Sequence, residues 1–311
     1  MDKNKKLVSF DHDIIGHKRI LKLLENSIQM NRLSHAYLLV GPKHIGKTKV
    51  AREFVKKLLK SSGQVSKLHL KSHPDIYVIS EDKIIKIDQI RELRHRLNLK
   101  PVVSPYKICI IENAELMDKE AGNALLKTLE EPPGQAILIL TAQNEKQLLP
   151  TLCSRCEILK FQVVSSDLIR EALCIRGINP IQTEKIVEQS IGRPGLAIQA
   201  CNHPETIKEY EQIEKDLEDV TRQNVVFRFN YINKISDDES LVKKILDVWL
   251  VFFRKAILAR RIGEKASISH LFSQYSTGKI YEIMRRIAET KNLLKLNINL
   301  RLVLENLVLM F

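Results

Sequence analysis

Hydrophobic positions along the chain fall into two regimes. From Ile14 to about Lys160, short apolar runs alternate with stretches in which apolar residues recur every three or four positions. The runs "HAYLLVG" (35–41), "DIYVIS" (75–80), "YKICIIEN" (106–113), "AILILTAQ" (136–143) and "EILKFQVV" (157–164) predict buried strands. Between them, "TKVAREFVKKLL" (48–59), "IDQIRELRHRLNLK" (87–100) and "KEAGNALLKTLEE" (119–131) carry helical spacing. Nearly continuous apolar strands separated by amphipathic helices are what a parallel sheet covered on both faces requires. Pro132-Pro133-Gly134 stops the last of these helices and opens a turn.

After Val164 the strand pattern ceases. "SSDLIREALCIRG" and "QTEKIVEQSIG" predict a small helical unit with Ser/Asp and Thr/Glu capping signals, closing near "GRPGLAIQAC" (192–201). From about Asp216 the helices lengthen, as in "SLVKKILDVWLVFFRKAILARR" (240–261) and the final "INLRLVLENLVLMF" (298–311). The expected organisation is an α/β domain over 1–164, a helical domain over 165–213 and an all-α domain over 214–311.

Charge adds a candidate partner. Of 50 basic and 37 acidic residues, residues 1–110 hold 23 and 10, so the whole excess of +13 lies there; residues 251–311 form a second basic zone with 11 against 4. A polyanion such as nucleic acid fits this distribution. The longest apolar run is about seven residues, far short of the roughly 20 that span a bilayer, and Met1–Ser9 has no apolar core of an export signal. A cytoplasmic protein without a membrane partner is expected. Five cysteines, with "CSRC" (153–156) the one close pair, fit reduced thiols and leave a four-ligand zinc site incomplete.

The chemistry concentrates in "GPKHIGKT" (41–48), which has every fixed letter of a phosphate-binding loop, between a predicted strand and a predicted helix. Backbone N–H groups around Gly41 and Gly46 and the helix N-terminus would hold phosphate oxygens. Lys47 would reach the outer phosphates and Thr48 a Mg²⁺ ion. Hydrolysis needs more: an acid at the end of a second strand to hold the metal, and a neighbouring carboxylate to activate water. The candidate stretch is "ICIIENAE" (108–115), where Glu112 stands at the metal position and Asn113 beside it cannot act as a base. Glu115 is the nearest further carboxylate.

"LLKTLEEPP" (125–133) followed about twenty residues later by "SRC" (154–156), together with "IIGHKRILKLLENSI…RLSHAYLLVGP" (14–42) and "NLRLVLENLVL" (299–309), resembles the clamp-loader subunits of replication, within the AAA+ ATPases. The resemblance implies a P-loop AAA+ domain with a parallel sheet, a small helical lid and an all-α C-terminal collar. It implies a hetero-oligomeric ring with gamma/tau- and delta-like subunits, a sliding clamp below it and primer–template DNA inside. It makes Arg155 a trans arginine finger for a neighbour's ATP site, positioned by Ser154 and Cys156, and Asn144 a polar sensor of the γ-phosphate. The chain departs from the family pattern in three ways. Residues 49–108 hold none of the four cysteines of the zinc module many relatives carry, the Asp-Glu pair is Glu112-Asn113, and Arg193 directly follows Gly192 where a second sensor arginine is spaced further on. Weak nucleotide binding or none, Mg²⁺ only alongside nucleotide, no zinc and no turnover are the resulting expectations. A motor ATPase of the same family and a standalone basic nucleic-acid-binding protein are the alternatives.

Overall fold

The computed structural model describes residues 14–61, 73–81, 83–203, 205–262, 275–294 and 299–311; the N-terminal stretch read above, Met1–Ser9, lies outside them. Five strands, β1 (Ala36–Val40), β2 (Ile76–Ser80), β3 (Lys107–Glu112), β4 (Ala136–Ala142) and β5 (Glu157–Lys160), form one parallel sheet in the order β2-β3-β4-β1-β5. The central strands β1, β3 and β4 are buried at every residue, which is why they read as unbroken apolar runs.

Alternate residues divide between two cores. Ala36, Leu38, Cys109, Ile111, Leu138 and Leu140 face one layer built by α3 (Ile87–Asn98), α4 (Lys119–Glu130) and the short α5 (Pro150–Cys153). Tyr37, Leu39, Ile108, Ile110, Ile137 and Ile139 face the other, where α1 (Lys18–Gln29) and α2 (Lys47–Ser61) supply Leu24, Val50, Phe54 and Leu58. Because β1 is followed by a helix on one face and β4 by a helix on the other, the crevice between their C-terminal ends is the topological switch point, where open α/β sheets bind ligands.

At the opposite end of the sheet, Asp75 anchors the segment leading into β3. Its buried carboxylate accepts the backbone N–H groups of Val102, Val103 and Ser104 at 2.8, 2.7 and 2.8 Å and pairs with buried Lys107 at 2.7 Å. Burial alone would raise its pKa, but Lys107 and the three amides outweigh burial and hold it well below the usual carboxylate range.

Three more helices, α6 (Ser166–Ile175), α7 (Pro180–Ser190) and α8 (Pro194–Asn202), complete the first compact unit, residues 1–201. The second unit, 202–311, holds α9 (Glu205–Arg222), α10 (Val225–Ile235), α11 (Glu239–Ile262), α12 (Thr277–Leu293) and α13 (Leu300–Val308). Its core is one apolar cluster around Trp249, Phe253 and Phe311. Arg228 clamps it by donating to the carbonyls of Val220 and Thr221 near the end of α9 and of Val308 at the end of α13. α9 runs unbroken through 213/214, with Ile213, Leu217 and Val220 on one apolar face; the first compact unit ends at 201 and the second begins at 202.

Candidate nucleotide site

The loop 41–48 leaves β1 and turns into α2 with Gly41, Gly46, Lys47 and Thr48 in the expected places. Gly41 is required by its surroundings: a Cβ there would stand 2.7 Å from the Phe161 carbonyl oxygen. Gly46 adopts φ +106°, and a Cβ on it would meet nothing within 4 Å, so open space lies over the loop where phosphate would sit. Neighbouring elements fix the turn. His17 donates its Nε2–H to the Ile45 carbonyl at 2.9 Å and packs its ring at a tilt against Phe161, centroids 4.7 Å apart, and burial pushes its pKa down. Gly195, in the first turn of α8, donates its N–H to the His44 carbonyl at 2.8 Å.

Lys47 is buried, and its Nζ donates to the carbonyls of Gly41 at 2.6 Å and Pro42 at 2.9 Å. Burial pushes its pKa down to about 8; Glu115 opposes the shift, while Arg193 and Lys43 add to it. Arg193 therefore acts on the phosphate-binding loop despite its unexpected spacing. The carboxylate that balances Lys47 is Glu115, not Glu112. Glu115 accepts the Gln143 N–H with Oε1 at 3.3 Å, and its buried Oε2 has no hydrogen-bond partner.

Glu112 departs from expectation. It is 8% exposed, its Oε1 accepts two bonds from Arg52 of α2 at 2.7 and 3.2 Å, and its Oε2 accepts the Ser80 hydroxyl at 2.8 Å. Ser80 is its register partner on β2, so the pairing of the strands delivers the hydroxyl to it. A carboxylate bound on both oxygens does not fit the metal-ligand role expected of it. Asn113, next in the chain, takes the left-handed conformation (φ 55°) that asparagine tolerates, and gives its N–H to the Thr141 hydroxyl at 3.1 Å. The loop thus fits phosphate, with the cradle over Gly46 and three cations near it, whereas Glu112, the acid expected at the metal position, is held by Arg52 and Ser80 and does not fit Mg²⁺ there.

Asn144 caps the short 3₁₀ turn Glu145–Gln147 by accepting the Lys146 N–H at 3.0 Å, which commits the oxygen of its expected sensor amide. Arg155 follows α5 at the surface. Its guanidinium donates to Glu130 at 2.7 Å, the first glutamate of "LEEPP", and to the Thr151 carbonyl at 2.8 Å, so these groups position it rather than Cys156; Ser154 is a marginal partner at 3.5 Å. Burial pushes the Cys156 thiol up to about 12 and also raises Cys153, so both stay protonated at neutral pH.

Residues 16–165 match the family described as "DNA polymerase III, delta subunit". A Bacillus subtilis protein, DNA polymerase III subunit delta', is 28% identical over 315 residues that cover 94% of this chain and 95% of that protein. Along nearly its whole length the chain is similar to a clamp-loader subunit of DNA polymerase III. Other clamp-loader relatives match in part. DNA polymerase III subunit delta' of Pseudomonas aeruginosa is 37% identical over 40% of this chain and 42% of that protein. DNA polymerase III subunit tau of Bacillus subtilis is 32% identical over 50% of this chain and 30% of that protein.

Proposed function

We propose that this chain is a clamp-loader subunit of the delta-prime type: it helps place a sliding clamp on primer–template DNA, does not hydrolyse ATP itself, and lends Arg155 to a neighbouring subunit's ATP site. The observation that carries this reading is the contrast between two sites in one domain. Beside the phosphate-binding loop, the position of the water-activating carboxylate is held by Asn113, and Glu112 is spent on Arg52 and Ser80. On the surface, Arg155 presents a guanidinium held by the Thr151 carbonyl and by an exposed pair with Glu130, 34% and 49% accessible, a pair that costs about 1 kcal/mol or less to break. The relative named delta' aligns along nearly the whole chain, whereas the tau relative aligns over half of it, which favours this branch over a motor subunit.

In this reading residues 1–164 form the AAA+ domain, residues 165–213 the lid, and residues 214–311 the collar that joins gamma/tau- and delta-like subunits into a cytoplasmic hetero-oligomer. Asn144 keeps its amide nitrogen for a γ-phosphate. An arginine finger supplied in trans is worth roughly 10³–10⁵ in rate in other phosphoryl-transfer systems, and a ring with several sites dilutes that. Arg155→Ala should leave folding and subunit assembly intact while lowering the DNA- and clamp-stimulated ATPase of the reconstituted assembly and slowing clamp loading. Arg155→Lys should rescue poorly, because an ammonium cannot reproduce the planar fork. Unchanged rates in both assays would remove the trans role.

A further inference from the structure

We infer that the phosphate-binding loop of this chain takes nucleotide phosphates without a divalent cation, because Arg52 and Ser80 hold the carboxylate that would carry the metal. The inference rests on the phosphate-binding role given to the loop above and goes beyond it.

Mg²⁺ demands a near-octahedral set of oxygen ligands, and in P-loop sites the protein supplies a loop hydroxyl and a strand-end carboxylate. Thr48 offers the hydroxyl. The strand-end carboxylate, Glu112, is already engaged at both oxygens: Oε1 accepts two N–H groups of one guanidinium and Oε2 accepts a hydroxyl, which leaves one lone pair, on Oε2. Charge-assisted pairs of this kind are stronger than neutral hydrogen bonds. To give a metal more than that one lone pair the carboxylate must leave its partners, and Arg52 would then stand unpaired beside a divalent cation. Asn113 brings no charge, and its backbone is tied to Thr141. Glu115 has one oxygen on Gln143 and balances Lys47.

The cations of the site point the same way. Lys43 and Arg193 both lie near enough to Lys47 to act on its charge. A polyphosphate entering the space over Gly46 meets these three cations and the N-terminus of α2, so its charge is neutralised by protein groups in the place a metal takes elsewhere.

The test is isothermal titration of the full chain with ATP and with ADP, in excess Mg²⁺ and in EDTA. Dissociation constants should agree between the two buffers within about twofold, a difference of under about 0.5 kcal/mol. Glu112→Gln should bind equally well in both buffers, and Arg52→Ala, which frees Glu112, should make Mg²⁺ tighten binding several-fold. Thermal melts of each variant identify any that fails to fold. Tightening of the unaltered chain by about tenfold or more in Mg²⁺ would overturn the inference, as would a Glu112→Gln loss confined to the Mg²⁺ buffer. Absence of binding in both buffers would overturn it too, while co-assembly with gamma/tau-type subunits, measured separately, reports on the clamp-loader reading alone.

Discussion

Asp75→Asn is the sharpest probe of what holds the first unit together. The substitution keeps the shape and replaces one acceptor oxygen with an NH₂ group. Whichever way the amide turns, two of the four donors now face a donor: Val102 N–H and Lys107 Nζ on the Oδ1 side, or Val103 and Ser104 N–H on the Oδ2 side. Each buried group left unsatisfied costs about 1–3 kcal/mol, and Lys107 also loses its only counter-charge in the pair, although it keeps a bond to the Pro74 carbonyl at 3.2 Å. Breaking a buried pair from one side typically costs about 3–5 kcal/mol. For a unit of this size that lowers the melting midpoint by about 6–20 °C. The assay is a thermal melt of the first unit's transition, with Lys107→Met added as a second change. The double variant should recover much of the loss, because an apolar replacement of the whole pair leaves no orphaned charge. The folded pKa of Asp75 is depressed, so its contribution is present above the unfolded value near 3.9 and fades as pH falls below it; the two proteins should converge in acid. A loss under about 1 kcal/mol at neutral pH, or a double variant no better than the single, would refute the reasoning.

Three further outcomes follow from the site. Because Lys47 titrates near 8 in the empty loop and binds phosphate as a cation, nucleotide affinity should hold up to about pH 8 and then fall up to tenfold per pH unit, measured by titration calorimetry across pH. His17 is kept neutral by burial, so a stability contribution present above about 6.5 should fade as pH falls below it, in a range where Asp75 still holds; His17→Gln should lose that slope in denaturant melts at stepped pH. Gly195→Ala places a Cβ 2.6 Å from the His44 carbonyl oxygen, so melts should show a loss of about 1–3 kcal/mol, and hydrogen exchange should show faster opening of the loop at 41–48.

Strands and helices of the first unit were legible because their burial is periodic. "AILILTAQ" predicts 136–143 and the strand is Ala136–Ala142; "KEAGNALLKTLEE" predicts 119–131 and the helix is Lys119–Glu130. "EILKFQVV" overreached: β5 ends at Lys160, after which Phe161 adds one last bond to β1, from its N–H to the Val40 carbonyl at 2.7 Å, and its own carbonyl lies against Gly41. The loop glycines and Lys47 were readable for a different reason, since their spacing within one turn fixes their geometry locally. Glu112, Arg193 and the partners of Arg155 were not readable. Which cation meets Glu112 depends on the packing of α2 against β3, 60 positions apart in the chain, and Glu130 meets Arg155 only once α4 and α5 lie side by side. Arg193 comes to the loop because Ile191 and Gly192 both take left-handed backbone, a sharp turn that the letters "IGRPG" allow but do not dictate.

The strand order carries a consequence for the making of the protein. β1 is synthesised before both of its neighbours, β4 and β5: Ala36 waits for Leu138, and Tyr37 for Glu157, more than a hundred positions later. Until then "AYLLV", apolar along its whole length and buried on both faces in the finished fold, has two unpaired edges. Loop-closure entropy is spent before these distant contacts form, which slows folding and lengthens the exposure. The phosphate-binding loop hangs from the end of that strand. It therefore emerges during translation well before it can take shape, and a nascent chain halted before Ala136 presents an adhesive strand to chaperones and to other chains alike.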